Sequence, residues 1–249
     1  MENLFTLKGK KILVTGASSG IGKSIAVESS RQGAQLVIVA RNAEKLDFTK
    51  ELLDKNNENH FVYSCDLTST ASLDLLVESL EPLDGLVLNA GSVKLAPISF
   101  INDEMVDQLF EINVKSSIRL VQRLVKAKKI NKGASIVFIS SISTQKTTLG
   151  NTVYNSTKGA VNSLVKSLAY EMANKQIRAN AILPGFIPTE ILKENAISEE
   201  DLTKHQKNYP LGRFGTPEDV AYLAIYLLSN QSNWMTGSLI NLDGGYSLK

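Results

Sequence analysis

The residues with chemistry to offer lie together between positions 141 and 158. Ser141 precedes Tyr154 by thirteen positions, and Lys158 follows it by four, in Tyr154-Asn155-Ser156-Thr157-Lys158. Two residues four apart project from one face of a helix. The apolar positions that follow, Ala160, Val161, Leu164, Leu168 and Met172, recur at helical spacing, so the phenol and the ammonium share a face. A free tyrosine titrates near ~10, too high for acid–base work at neutral pH. An ammonium within about 4–6 Å favours the phenolate and lowers that value. A serine hydroxyl donates to an oxygen on which charge develops. The set suits proton transfer coupled to carbonyl reduction or alcohol oxidation. Alone, Tyr-x-x-x-Lys is a weak signal in a chain with seven Tyr, because a tyrosine on a helix usually serves packing.

Positioning these groups requires a strand before Ser141 and a helix through Lys158. The β-branched run 136–139 supplies the strand. The same alternation extends along the chain. Strands are expected at 11–15, 35–40, 60–64, 84–88, 134–140, 177–183 and 238–242. Helices are expected near 20–32, 43–56, 70–80, 102–130, 153–174 and 217–229. Strands alternating with helices predict an α/β fold, a Rossmann-like doubly wound parallel sheet of about seven strands with helices on both faces. No repeat or Pro/Gly-rich linker divides 1–249, so one domain is expected. The exception is an excursion near 188–210 after Pro184-Gly185, polar and without a strong period. It reads either as a lid over a site or as an ordinary surface segment.

The first strand runs straight into Thr15-Gly16-Ala17-Ser18-Ser19-Gly20-Ile21-Gly22, and a helix follows. Glycines allow a tight turn and a close backbone approach, and a helix start offers free N–H groups to a pyrophosphate. The place, between first strand and first helix, is where such sheets bind nucleotides. The spacing is G-x-x-x-G-x-G, and no Lys-Ser/Thr pair follows, which disfavours a nucleotide triphosphatase.

Composition excludes several classes. Lys+Arg number 27 against 25 Asp+Glu, a net charge of +2, which gives no global field for nucleic acid or anionic membrane. No segment has the length of continuous apolar sequence that a membrane span needs. The one cysteine, Cys65, forms no internal disulfide, and a soluble, cytoplasmic protein is expected. His60 and His205 lack metal-ligand spacing, so no metal is expected and both read as surface or strand-end residues. Lys126, Lys128, Lys129 and Lys132 read as a solvated run at a helix end. Trp234 and Met235 read as core or subunit-contact residues.

Taken together, Thr-Gly-x-x-x-Gly-x-Gly at 15–22, Asn89-Ala90-Gly91, Asn113, Ser141, Tyr154-x-x-x-Lys158 and Pro184-Gly185 with Thr189 resemble the short-chain dehydrogenase/reductase family, in order and spacing over nearly the whole chain. One departure is Leu88, where many members have a second Asn. The resemblance implies an NAD(P)-dependent enzyme reducing a carbonyl or oxidising an alcohol. Tyr154 would exchange the proton, Ser141 rather than Ser140 would polarise the carbonyl, and Lys158 would hold the nicotinamide ribose. Asn113 would help hold a water that links Lys158 to solvent. Gly16, Gly20, Ile21 and Gly22 would line the pyrophosphate, and Asn89, Ala90 and Gly91 would leave room for a ribose. Asp66 and Leu67 would meet the adenine; Pro184, Gly185, Ile187 and Thr189 would meet the carboxamide end. Ala40 brings no carboxylate to the end of the second strand, while Arg41, with Ser18 and Ser19 nearby, suits a 2′-phosphate, so NADP (NADPH) is favoured over NAD. Structural alternatives stay open: Asp66 as the start of a turn at Thr68, Asn89 as a cross-strand hydrogen bonder, and Asn113 as a polar residue satisfying a helix kink. The stretch 211–219 is similar to 3-oxoacyl carrier-protein reductases, but Tyr170 stands where those enzymes often carry arginine. Relatives imply a homo-oligomer, tetramer or dimer. The alternative of another class is a non-catalytic NAD(P)-binding regulator on the same fold.

Overall fold

The computed structural model describes residues 4–56, 59–188 and 199–249. Seven parallel strands form one sheet in the order β3-β2-β1-β4-β5-β6-β7. They are β1 (Lys11–Thr15), β2 (Gln35–Ala40), β3 (Phe61–Ser64), β4 (Leu83–Leu88), β5 (Ile130–Ile139), β6 (Arg178–Pro184) and β7 (Leu239–Leu242). The helices are α1 (Gly20–Arg31), α2 (Ala43–Glu51), α3 (Thr70–Ser79), α4 (Asp103–Phe110), α5 (Ser116–Lys126), α6 (Thr152–Glu171), α7 (Glu199–Gln206) and α8 (Pro217–Leu228). The chain order steps outward from β1 in both directions, so the sheet reverses between β1 and β4, and the loops after these strands open one crevice.

Successive strand residues point to opposite faces, and both faces are apolar. Leu13, Val37, Leu86 and Ile136 pack with α3, α5 and α6, through Leu73, Leu120 and Val165. Ile12, Val14, Ile38 and Val137 pack with α1 and α8, through Ile25 and Ala224. Helix α8 starts on a capping box between Thr216 and Asp219 with Pro217 in its first turn. Arg213 grips the Asp219 carboxylate at 2.6 and 3.0 Å, which is the main reason its pKa falls to about 2.

Three expected elements differ. The helix expected over 102–130 is interrupted by one π-turn, Glu111–Lys115, and ends at Lys126. The interruption centres on Asn113, a buried amide that turns out of the ladder toward partners elsewhere. Strand β5 begins at Ile130, because Leu83 N–H bonds to the Lys129 carbonyl and extends the pairing with β4 past a register shift. Helix α2 stops at Glu51, and Leu53 drops into the core. Helix α7 lies within the segment expected to lack a period. Trp234 is fully exposed, so it is not a core residue.

Candidate active site

Ser141 follows the end of β5, and Tyr154 and Lys158 stand in the first two turns of α6. The structure brings all three together at the head of a cavity of about 670 Å³ that also touches Ile21, Asn89 and Gly91. The Ser141 hydroxyl faces the Tyr154 phenol and acts to lower its pKa. Ser141 Oγ also accepts from Ser143 Oγ at 2.8 Å and Ser143 N–H at 3.2 Å. With two bonds accepted, the Ser141 proton is left for Tyr154 or for a substrate oxygen. Ser140 faces away, donating to Asn162 Oδ1 at 2.7 Å, which agrees with the choice of Ser141.

Lys158 Nζ lies 5.7 Å from the centroid of the Tyr154 ring and donates to the Ile139 carbonyl at 2.9 Å. It is buried, and burial brings its pKa down to about 8. The expectation of an acidified phenol is not met in this geometry. Burial pushes Tyr154 above the ordinary tyrosine value, and the Ser141 hydroxyl only partly offsets it. A phenol that stays protonated at neutral pH is fitted to give a proton rather than to take one.

Asn113, 2% exposed, spends its amide on neighbours. Its Oδ1 accepts from Ser92 N–H at 2.7 Å, and its Nδ2 donates to the Ser92 carbonyl at 2.9 Å and to Thr157 Oγ1 at 3.0 Å. Thr157 in turn donates to the Tyr154 carbonyl at 2.7 Å. Asn113 thus ties the loop after β4 to the helix that carries Tyr154.

The glycine turn is built for close approach. A Cβ on Gly22 would lie 2.3 Å from the Gly16 carbonyl, and one on Gly16 would lie 2.8 Å from Asn89 Nδ2. Gly16 and Gly20 take positive φ. The first turn of α1 holds no acidic residue, and Ser19, its N-cap, makes no side-chain cap bond. Ser18 and Ser19 are half-buried beside it. A Cβ on Gly91 would come 3.0 Å from Asn113 Oδ1 and 3.7 Å from Lys158 Nζ, so this cradle depends on a bare backbone. A dinucleotide's pyrophosphate fits this turn by charge and by clearance.

Several expected cofactor residues have structural partners. Asn89 Nδ2 donates to the Thr15 and Gly16 carbonyls, both at 3.2 Å, and Thr15 Oγ1 accepts from the N–H groups of Asn89 and Ala90. Asn89 is thus the cross-strand bonder held open from sequence. Asp66 Oδ1 accepts from Thr68 N–H and Oγ1, the turn alternative, and these bonds, helped by Arg41, lower its pKa. Leu67 is 5% exposed and packs into the core, leaving only an edge for an adenine. Arg41 is exposed at the rim of a second cavity of about 570 Å³, together with Lys94 and Lys115. Pro184, Gly185 and Ile187 line the main cavity; Gly185 N–H bonds to the Leu242 carbonyl. Thr189 lies outside the described residues.

Sequence reasoning missed Ser143, Ser92 and an aromatic wall. His205 is no bystander: its ring centroid lies 5.2 Å from Phe186 and 5.6 Å from both Tyr209 and Tyr246. Tyr209 stacks on Tyr246 at 4.9 Å, and its hydroxyl accepts from Phe186 N–H at 2.9 Å. Phe186 lay next to a residue already singled out. The others are far apart in sequence and carried no local signal. His60 is a strand-end residue as expected, accepting from Leu36 N–H. Among the described residues there is no group of three or more metal-ligating side chains.

The family described as enoyl-(acyl carrier protein) reductase matches residues 16–247. The 3-oxoacyl-[acyl-carrier-protein] reductase FabG of Rickettsia bellii is 34% identical over 97% of this chain and 98% of its own. The 7alpha-hydroxysteroid dehydrogenase of Escherichia coli is 33% identical over 96% of this chain and 94% of its own. Among solved structures, the Pseudomonas aeruginosa RhlG/NADP active-site complex superposes with a TM-score of 0.90 at 30% identity, over 99% of this chain and all of that one.

Proposed function

From the premise that this chain belongs to the short-chain dehydrogenase/reductase family, oxidoreductases of carbonyl and alcohol groups, we propose that it is an NADPH-dependent carbonyl reductase with Tyr154 as its proton donor. The observation that carries the reading is the convergence of Ser141, Tyr154 and Lys158 on one cavity, with Lys158 Nζ 5.7 Å from the centroid of the Tyr154 ring. NADPH, when bound, supplies the hydride. Ser141, held by Ser143, points its proton at the substrate oxygen and stabilises charge developing there. Tyr154 gives its proton to that oxygen, or removes it in the reverse direction. Lys158 holds ribose hydroxyls and stabilises the phenolate left behind. Asn113 acts through Ser92 and Thr157 to keep the two walls in register.

The phosphate end is assigned to Gly16, Ser18, Ser19, Gly20, Ile21 and Gly22, and the 2′-phosphate to Arg41. The complex of RhlG with NADP supports that cofactor by likeness. The chain is read as one NAD(P)-binding domain, acting in the cytoplasm as a homo-oligomer. Among the described residues no helix is long and apolar enough to cross a membrane. Exposed Ile118 and Tyr170 on α5 and α6 suit subunit contacts.

The test is Tyr154→Phe assayed with NADPH and a panel of ketones, thioesters and sugars. The variant is expected to bind NADPH as the wild type does and to lose turnover. Turnover surviving unchanged would remove Tyr154 from the proton step.

A further inference from the structure

Beyond Ser141 and Tyr154 the cavity has a wall whose chemistry selects what is attached to the carbonyl. Among the described residues, no carboxylate lines the cavity. Its two cations are both committed. Lys158 donates to the Ile139 carbonyl beneath Tyr154. Lys146 Nζ donates to the main-chain oxygens of Tyr246 and Lys249, at 3.0 and 2.6 Å, and sits 4.5 Å over the Tyr246 ring. His205 is held below the ordinary histidine range by burial, so its imidazole is neutral at neutral pH. A substrate with an acidic tail therefore finds no free counter-charge on these walls, and a basic one finds no acid.

What the wall does offer is ring surface. Phe186 and His205 meet at 63°, His205 meets Tyr246 at 77°, and Tyr209 lies stacked beneath at 19° to Tyr246. The Tyr209 hydroxyl is already bonded to Phe186 N–H, so it does not compete for polar substituents as an acceptor. Val93 and Leu95 contribute apolar groups to the same cavity. Aromatic walls gain edge-to-face contacts with a rigid ring, whereas a flexible acyl chain loses rotamer freedom on binding. Resting on the carbonyl-reductase reading above, we propose that the substrate is a neutral ketone, or its alcohol, whose carbonyl belongs to or bears a planar apolar ring system, and that this ring packs against the half-buried Phe186 and His205, which the buried Tyr209 and Tyr246 back.

The probes are α-tetralone, the N-acetylcysteamine thioester of acetoacetate and fructose, with NADPH. Binding to the NADPH-loaded enzyme is read by nucleotide fluorescence and turnover by absorbance. We expect α-tetralone to exceed both other probes in affinity and in kcat/KM by about tenfold or more. His205→Ala is expected to cut that ratio several-fold, and His205→Phe, which keeps a flat ring, to restore it. Preference for the thioester or for fructose, no binding of α-tetralone, or a ratio unchanged in His205→Ala overturns the inference. Tyr154→Phe separates this from the parent reading. It is expected to keep the binding preference and lose turnover; turnover that survives there counts against the proton donor and leaves the ring preference standing.

Discussion

Asn113 holds both main-chain groups of Ser92, accepting from the N–H at 2.7 Å and donating to the carbonyl at 2.9 Å. Asn113 sits in the π-turn between α4 and α5, where the helix that carries it opens. Asn113→Ala leaves two main-chain groups and Thr157 short of a partner in a buried setting. It should cost about 2–4 kcal/mol of stability, read as a lower urea midpoint, and lower kcat through displacement of Tyr154. A midpoint unchanged from wild type would show that water replaces the clamp without penalty.

Burial brings the Lys158 pKa down to about 8 in the fold, against 10.5 for a solvated lysine. The folded state therefore binds fewer protons than the unfolded state between these values, and this group's contribution to stability rises with pH across that window. Below pH 8 the fold carries the full cost of a buried ammonium. Lys158→Met should abolish turnover yet raise stability at pH 7 by about 1–3 kcal/mol, after allowing for the lost bond to the Ile139 carbonyl. The gap between variant and wild type should close as pH rises from about 8 toward 10.5. In the wild type, kcat/KM for reduction should fall as pH rises through about 8, where Lys158 loses its charge. A Met variant less stable than wild type at pH 7 would mean that the ammonium is better solvated than its burial indicates.

Much of this molecule was legible because burial leaves a periodic record. The bounds of β1 and β2 were read to the residue, since apolar runs between turn residues leave little freedom. Tyr154 and Lys158 were readable because a four-residue step fixes a shared helix face. The rise of the Tyr154 pKa was not, because it depends on where the Lys158 ammonium points and on how much water is excluded. The break at Asn113 was hidden because α4 and α5 continue one apolar stripe on either side of it. His205 was dismissed for lack of ligand spacing; its role comes from Phe186 and Tyr246, which topology alone brings to it. Ser143 was overlooked although a serine two positions after Ser141 is a common turn device.

Gly22 is a clearance residue. A Cβ there would lie 2.3 Å from the Gly16 carbonyl and 2.4 Å from Asn89 Nδ2, and the first of these is backbone that cannot swing aside. Gly22→Ala should lower thermal stability by several degrees, roughly 1–3 kcal/mol. It should also weaken NADPH binding by about tenfold or more, because the turn must open to admit the methyl group. Unchanged affinity, measured by nucleotide fluorescence titration, would place the pyrophosphate elsewhere.

Arg41 is the residue proposed to decide between the two nicotinamide cofactors. It follows β2, whose last residue, Ala40, brings no carboxylate to meet a ribose hydroxyl. Ser64 Oγ donates to the Arg41 carbonyl at 3.0 Å, which fixes the backbone while leaving the guanidinium exposed. That guanidinium lowers the pKa of Asp66 through space, yet forms no ion pair among the described residues. A 2′-phosphate would give it a bidentate partner that a 2′-hydroxyl does not. Arg41→Ala should therefore weaken NADPH by about tenfold or more while changing NADH little, and Arg41→Asp should turn the preference toward NADH. Dissociation constants for both cofactors with both variants check this. Equal losses for NADPH and NADH would mean that Arg41 does not touch the phosphate, and the discrimination would then have to come from Ser18 or Ser19 at the start of α1.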